Sequence, residues 1–305
     1  MSSTGGGRRI SIDVYRGLAI LAMVIYHALW DLAYYRLIET GIGTDPAWIG
    51  AQRGIVTAFL LLVGAGLWLA HGRGIDWRRF WKRQAIVVAA ALGVSAVTWV
   101  QFGADYFAYF GVLHVIALSS LLALPLLRAP AWLVLALALG VLAAPAIWSW
   151  DLFNARGLSW IGFFTETPQT ADLVPLFPWF GVVLLGMLAM RLGGDAPVFT
   201  WRSDSRLLRG LAVAGRWSLV IYLVHQPLLF GAITPIAGAL DGAQQARLDA
   251  FLGSCRSACV ANESEPFCTA YCACALDVTI RDDLWESPPG ALRGMIALCT
   301  EMARR

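Results

Sequence analysis

Arg16 and His27 stand eleven residues apart in an apolar run, with Asp13 three residues before the arginine and Asp31 four residues after the histidine. On a helix, eleven steps of about 100° return a side chain to within about 20° of its starting direction and carry it roughly 16 Å along the axis. The four ionisable groups therefore share one stripe of a helix that is otherwise built for lipid, where such groups are costly and usually have a task. An imidazole with an unperturbed pKa near 6.5 works as base, acid or nucleophile, and a carboxylate one turn on can fix its tautomer, an arrangement used in acyl transfer. The rigid donor fork of Arg16 suits phosphate, as in the nucleotide end of an acyl carrier such as coenzyme A. Each residue also has a plainer reading. His27 can simply hydrogen-bond inside a bundle, and Arg16 can be an ordinary basic residue at a helix end, paired with Asp13.

Two further histidines lie in apolar runs. His114 follows Tyr109-Phe110-Gly111-Val112-Leu113, at a depth similar to that of His27, so contact between the two rings is possible. His225 lies in Tyr222-Leu223-Val224-His225-Gln226-Pro227, where Tyr222 shares its face and Pro227 frees a backbone carbonyl; packing and hydrogen bonding are the expected role. His71 falls outside the spans.

The elements that must position these groups follow from composition. Of 305 residues, 58% are hydrophobic and 14% charged, with fourteen Trp, which identifies a polytopic membrane protein and excludes a soluble domain. Seven apolar stretches are long enough to be spans, roughly 16–35, 54–70, 84–101, 108–127, 131–148, 175–191 and 217–239. The fold expected is an all-α bundle of about seven transmembrane helices. No internal repeat of the transporter kind is visible, and Gly64 and Gly66 in the second span invite close approach of a neighbour.

Placing the N-terminus in the cytoplasm puts fourteen Lys and Arg in the inner segments against three outside, Arg36, Arg53 and Arg156. An odd number of spans then leaves the tail on the far side. All six cysteines lie there (Cys255, Cys259, Cys268, Cys272, Cys274 and Cys299), and an even count in an oxidising compartment reads as up to three disulfides among fifteen connectivities. A zinc site at Cys268, Cys272 and Cys274 is the rival, weakened by the absence of tail histidines and of paired CxxC motifs. The expected organisation is a disordered cytoplasmic stub over 1–10, a transmembrane domain over 11–240 and a small Cys-rich tail over 241–305, broken by Pro288-Pro289. In the long outer loop 149–174, Trp160, Phe163 and Phe164 stand among Asp151, Glu166 and Asp172. They form either a substrate mouth or an aromatic interface belt with solvated acids. The net charge of +3 implies no nucleic-acid partner.

Asp13, Arg16, Gly17 and His27 together resemble the first-helix signature of membrane acyltransferases of the acyltransferase-3 type. The segments Gly111-Val112-Leu113-His114-Val115-Ile116-Ala117-Leu118, Phe177-Pro178-Trp179-Phe180-Gly181 and Ile221-Tyr222-Leu223-Val224-His225-Gln226-Pro227 resemble bacterial relatives of heparan-alpha-glucosaminide N-acetyltransferase. The likeness covers about residues 8–235. It implies a bacterial inner-membrane enzyme that takes an acyl group, such as acetyl, from cytoplasmic acyl-CoA and delivers it to an extracytoplasmic acceptor, often a sugar hydroxyl or amine. No metal is expected. The loop 36–53, where the lysosomal enzyme carries its active His, has none here, so the chemistry falls to His27 with Asp31, or to His27 shared with His114, and the carrier grip to Arg16.

Other classes predict other behaviour. A transporter or flippase with a His/Asp proton relay would move substrate without consuming acyl-CoA, a haem or quinone protein would need axial histidines at matching depth, and a structural or sensory membrane protein would do neither.

Overall fold

The structure, a computed structural model, describes residues 9–38, 40–41, 45–285 and 292–304. Most of the stub, part of the loop 36–53 and Pro288-Pro289 lie outside the described residues. The helices are α1 Ile10–Tyr34, α2 Pro46–His71, α3 Trp77–Phe102, α4 Val112–Leu122, α5 Ala131–Ile147, α6 Arg156–Ser159, α7 Leu176–Gly193, α8 Pro197–Thr200, α9 Arg206–Arg216, α10 Ser218–Cys259, α11 Glu265–Arg281 and α12 Arg293–Ala303. Among the described residues the only β pairing is an isolated parallel bridge between Phe110 and Leu173. The protein is an all-α polytopic membrane bundle.

Three helices, α1, α2 and α3, start earlier than the hydropathy suggests. α1 begins at Ile10, with Asp13 in its first turn, where a carboxylate opposes the helix dipole. α2 begins at Pro46 rather than in the fifties, because Asp45 accepts a hydrogen bond from the Ala47 amide at 2.7 Å and Pro46 fits the first helical position. Asp76 caps α3 in the same manner through the Arg79 amide.

Among the described residues, five helices are long and apolar enough to cross a membrane: α1, α2, α3, α7 and the Ser218–Asp241 part of α10. The stretches expected at 108–127 and 131–148 are shorter. α4 has 11 residues, about 16 Å of rise against a hydrocarbon core of about 30 Å, and it gives way at Ala123 to a 3₁₀ turn, Pro125–Leu127. Pro125 has no amide hydrogen to continue the ladder. α5 has 17 residues. At α7 the first turn is irregular. Phe177 is extended, with φ −97° and ψ 129°, and its bond to Pro178 is cis.

The core is set by glycines at helix crossings. A Cβ at Gly64 of α2 would collide with the Val183 carbonyl of α7, and one at Gly186 of α7 with the Leu61 carbonyl of α2. These backbones meet because neither position carries a side chain. Around the crossing pack Leu60, Val115, Val182 and Val183, all buried. Replacing Gly64 by Leu is expected to force the two helices apart at a cost of about 1–3 kcal/mol or more, read as a lower midpoint in thermal unfolding of the detergent-solubilised protein. Gly54→Leu, where a Cβ meets open space, is the control and should leave the midpoint nearly unchanged.

α9 occupies the segment expected to be a basic connection. It packs backbone to backbone on α1, since a Cβ at Gly17 would strike the Leu211 carbonyl and one at Gly215 the Asp13 carbonyl. Ala212 and Gly215 are its buried positions, while Arg206, Arg209 and Arg216 are exposed.

The chain divides into two compact units, one ending at Phe230 and one beginning at Gly231, ten residues before the boundary expected from composition. The second unit comprises the rest of α10, then α11 and α12. Its cysteines form three disulfides, Cys255–Cys272, Cys259–Cys268 and Cys274–Cys299, so the zinc alternative is overturned. Cys255 and Cys259 are one turn apart on α10, as are Cys268 and Cys272 on α11, so each pair presents its sulfurs on one face. Cys274 then ties α11 to α12.

Candidate active site

The stripe on α1 is polar only at its ends. Between Arg16 and His27 it carries Ile20 and Met23, 2% and 5% exposed, so core packing separates the two pairs of ionisable groups. At the lower end, Arg16 pairs with Asp13 at 3.7 Å. The guanidinium lies over Gly66 of α2, close enough that a Cβ there would press on it. The second-span glycines thus admit different neighbours, Gly64 a helix and Gly66 an arginine.

At the other end α1 meets α10. His27 Nδ1 is 3.0 Å from the Gln226 side-chain oxygen and 3.3 Å from His225 Nε2, and the two imidazoles cross edge to face with centroids 4.9 Å apart. His225 Nδ1 donates to the Tyr222 carbonyl at 2.7 Å, one turn back on its own helix. Gln226 Nε2 donates to Asp31 Oδ1 at 2.8 Å. Asp31 is fully buried, and its other oxygen has no hydrogen-bond partner among the described residues. The direct His27–Asp31 hydrogen bond expected from their spacing is replaced by a bridge. Gln226, reaching across from α10, fills the gap that the short aspartate side chain leaves.

His114 goes elsewhere. Its Nδ1 accepts from the Gly111 amide at 3.2 Å, its Nε2 lies 3.4 Å from Ser95 Oγ and its ring lies beside Phe110. It faces a separate apolar cavity of about 320 Å³ together with Gln84, Phe110 and Trp160. His27 is not among its hydrogen-bond or ring partners in the described residues, so similar depth does not bring the two together. His71, at the end of α2, packs on Phe80.

The loop 149–174 is ordered by its own polar groups. Asp151 accepts from Thr165 at 2.6 Å, and Arg156 donates to the Ala104 and Asp105 carbonyls while lying over the Phe107 and Tyr109 rings. Asp172 accepts from the Val112 amide at 3.2 Å, capping α4 from outside, with its carboxylate in the space a Cβ at Gly111 would fill. Burial pushes the Asp172 carboxyl up to about 6, with the Val112 hydrogen bond pulling the other way. A carboxyl whose pKa is higher when docked than when free binds its proton more tightly in the docked state. The docking of this segment on α4 should therefore be strongest in acid and weaken as pH rises from about 4 through about 6. Hydrogen exchange of residues 165–174 should accelerate over that window, after correction for the intrinsic rate, and Asp172→Asn should remove the dependence.

His225 and Gln226 are the residues that sequence reasoning undervalued. The available signal was two adjacent polar side chains in mid-span just before a proline, and their partner lies some two hundred residues away.

Comparison with known proteins adds one finding. A family model, Heparan-alpha-glucosaminide N-acetyltransferase, catalytic, matches residues 8–227, a stretch that includes His27, Asp31, His225 and Gln226. No curated protein and no solved structure matches the chain.

Proposed function

The chain belongs to the family of the heparan-alpha-glucosaminide N-acetyltransferase catalytic domain, and from that premise we propose that it moves an acetyl or similar acyl group from cytoplasmic acyl-CoA to an extracytoplasmic acceptor, a carbohydrate hydroxyl or amine. The observation that carries this reading is the hydrogen-bonded group of His27, His225, Gln226 and Asp31, which joins the first span to the last within the matched residues.

In the proposed step, His27 takes the proton from the acceptor O–H or N–H as that atom bonds to the acyl carbon. The thioester C–S bond breaks, and the proton passes from His27 to the departing thiolate. A version in which the imidazole first carries the acyl group uses the same ring in two displacements. Arg16 would meet the donor's phosphates about 16 Å away along α1. Beside the packed stripe lies an apolar groove bordered by Ile12, Tyr15, Ala19 and Ala22 of α1 and by Ala58 and Ala65 of α2, and neither Arg16 nor His27 lines it. The cytoplasmic placing of the N-terminus is supported by the fourteen-to-three asymmetry of basic residues, and that of the tail beyond the membrane by its disulfides.

A second reading, a transporter with a proton relay, draws support from the buried Asp31 linked through Gln226 to His27. The test is to supply labelled acetyl-CoA and an amino sugar to opposite faces of sealed proteoliposomes. Free CoA on the donor side with label on the far-side sugar is expected. Sugar movement with acetyl-CoA intact would favour the transporter.

A further inference from the structure

We propose that Gln226 is a positioning residue that fixes which nitrogen of His27 is the base, so that Asp31 acts on the imidazole only through it. The proposal rests on the acyltransferase reading for its kinetic consequence, but its structural content is independent of that reading.

The argument is one of donors and acceptors. A carboxylate only accepts, so the Gln226 amide nitrogen, 2.8 Å from Asp31 Oδ1, is the donor there. The Gln226 oxygen is then the end that faces His27, and an oxygen only accepts. His27 Nδ1, 3.0 Å away, must therefore carry a proton. The neighbouring ring agrees. The Tyr222 carbonyl at 2.7 Å requires a proton on His225 Nδ1, which leaves the Nε2 of neutral His225 as a lone pair, 3.3 Å from His27 Nδ1. Both groups that His27 Nδ1 faces are acceptors, and neither can give it a proton. The lone pair of neutral His27 is consequently on Nε2, which has no hydrogen-bond partner among the described residues.

Once Nε2 takes a proton, the Nδ1–H of the imidazolium still points at the Gln226 oxygen and the His225 lone pair. The Asp31 charge polarises the amide from the other side without taking a proton. This differs from a direct His–Asp pair in one respect: an amide passes on orientation and polarisation but cannot relay a proton. The titratable or charged groups around the ring are Asp31 on α1, reached through Gln226, the adjacent Tyr26, whose ring lies 6.0 Å from that of His27, and His225 on α10.

The test uses the full chain in nanodiscs with histidines labelled at the ring nitrogens, comparing the native protein with Gln226→Met and Asp31→Asn at a pH where His27 is neutral. Nuclear magnetic resonance should show His27 with its proton on Nδ1 in the native protein and in Asp31→Asn, where the amide bridge can persist. In Gln226→Met the Nδ1–H form should lose its dominance. In acetyl transfer, Gln226→Met should lower kcat by between about 10- and 100-fold with KM little changed, and Asp31→Asn should have a smaller effect. Because Gln226→Met leaves a buried carboxylate unpartnered and can fail to fold, Gln226→Glu, assayed across pH, serves as the second variant. Its protonated form can mimic the amide while its ionised form cannot donate to Asp31, so activity should be rescued on the acid side only. Native His27 with its proton on Nε2, or a tautomer unmoved by Gln226→Met, would overturn the proposal. The predicted tautomers without any acetyl-CoA turnover would leave it standing and refute the enzyme class.

Discussion

His27→Ala is expected to lower acyl transfer from acetyl-CoA by about 10²- to 10⁴-fold, the range for loss of a general base, with the unfolding midpoint close to that of the native protein. The expectation follows from the ring's surroundings. His27 is held from one side by Gln226 and His225, and its removal leaves those partners bonded to Asp31 and to the Tyr222 carbonyl. The lost ring therefore strips out the base while Gln226 and His225 each keep one anchoring bond, although the Gln226 oxygen and His225 Nε2 lose the Nδ1–H they face. His114→Ala is the natural comparison, because His114 is bonded to Gly111 and Ser95 beside a different cavity. It should reduce the rate far less. Equal losses in the two variants would shift the chemistry to both histidines and would contradict the separation seen in the structure.

The other large effect lies in the tail. Its hydrophobic cluster consists of Cys274, Val278 and Cys299, with Tyr271, Leu284 and Met295 packed on it, so two of its three buried members are themselves halves of a disulfide. A core that small does not offset the conformational entropy of α11 and α12 without covalent help. The three bridges close sequence separations of 17, 9 and 25 residues. Each stabilises its loop by about 2–4 kcal/mol. Reduction should unfold this unit, read as loss of hydrogen-exchange protection over 265–281 and 293–303, while α2 and α7 keep theirs. Protection that survives reduction of all six cysteines, verified by alkylation, would show that packing alone holds the tail.

Much of the architecture was legible in the sequence because hydropathy and helical period report on single helices. The register of α1 brings Arg16 next to Asp13, and the placing of six cysteines in the tail foretells bridges. What was not legible depends on pairs of helices. No periodicity within Ser218–Pro227 says that Gln226 will reach Asp31, or that His225 rather than His114 will meet His27. The interruption of the polar stripe by Ile20 and Met23 is visible in the sequence, since both side chains are apolar, and their burial is a property of the neighbours that cover them. α9 was hidden by its arginines. Reading Arg206, Arg209 and Arg216 as an inner loop overlooked the Leu211, Ala212 and Gly215 face that seats on Gly17. The short α4 was concealed by composition, since Ala123, Leu124, Leu126 and Leu127 continue the apolar run after the α-helix has ended at Leu122.

The most direct test of the central claim, that acyl transfer is carried out where α1 meets α10, is photolabelling with an acyl-CoA that bears a photoreactive group at the end of its acyl chain. After digestion and mass spectrometry, the account predicts adducts on peptides containing His27 and His225-Gln226, and their loss when excess acetyl-CoA competes. Competed adducts confined to the cavity at His114 and Trp160, or to the tail, would contradict it.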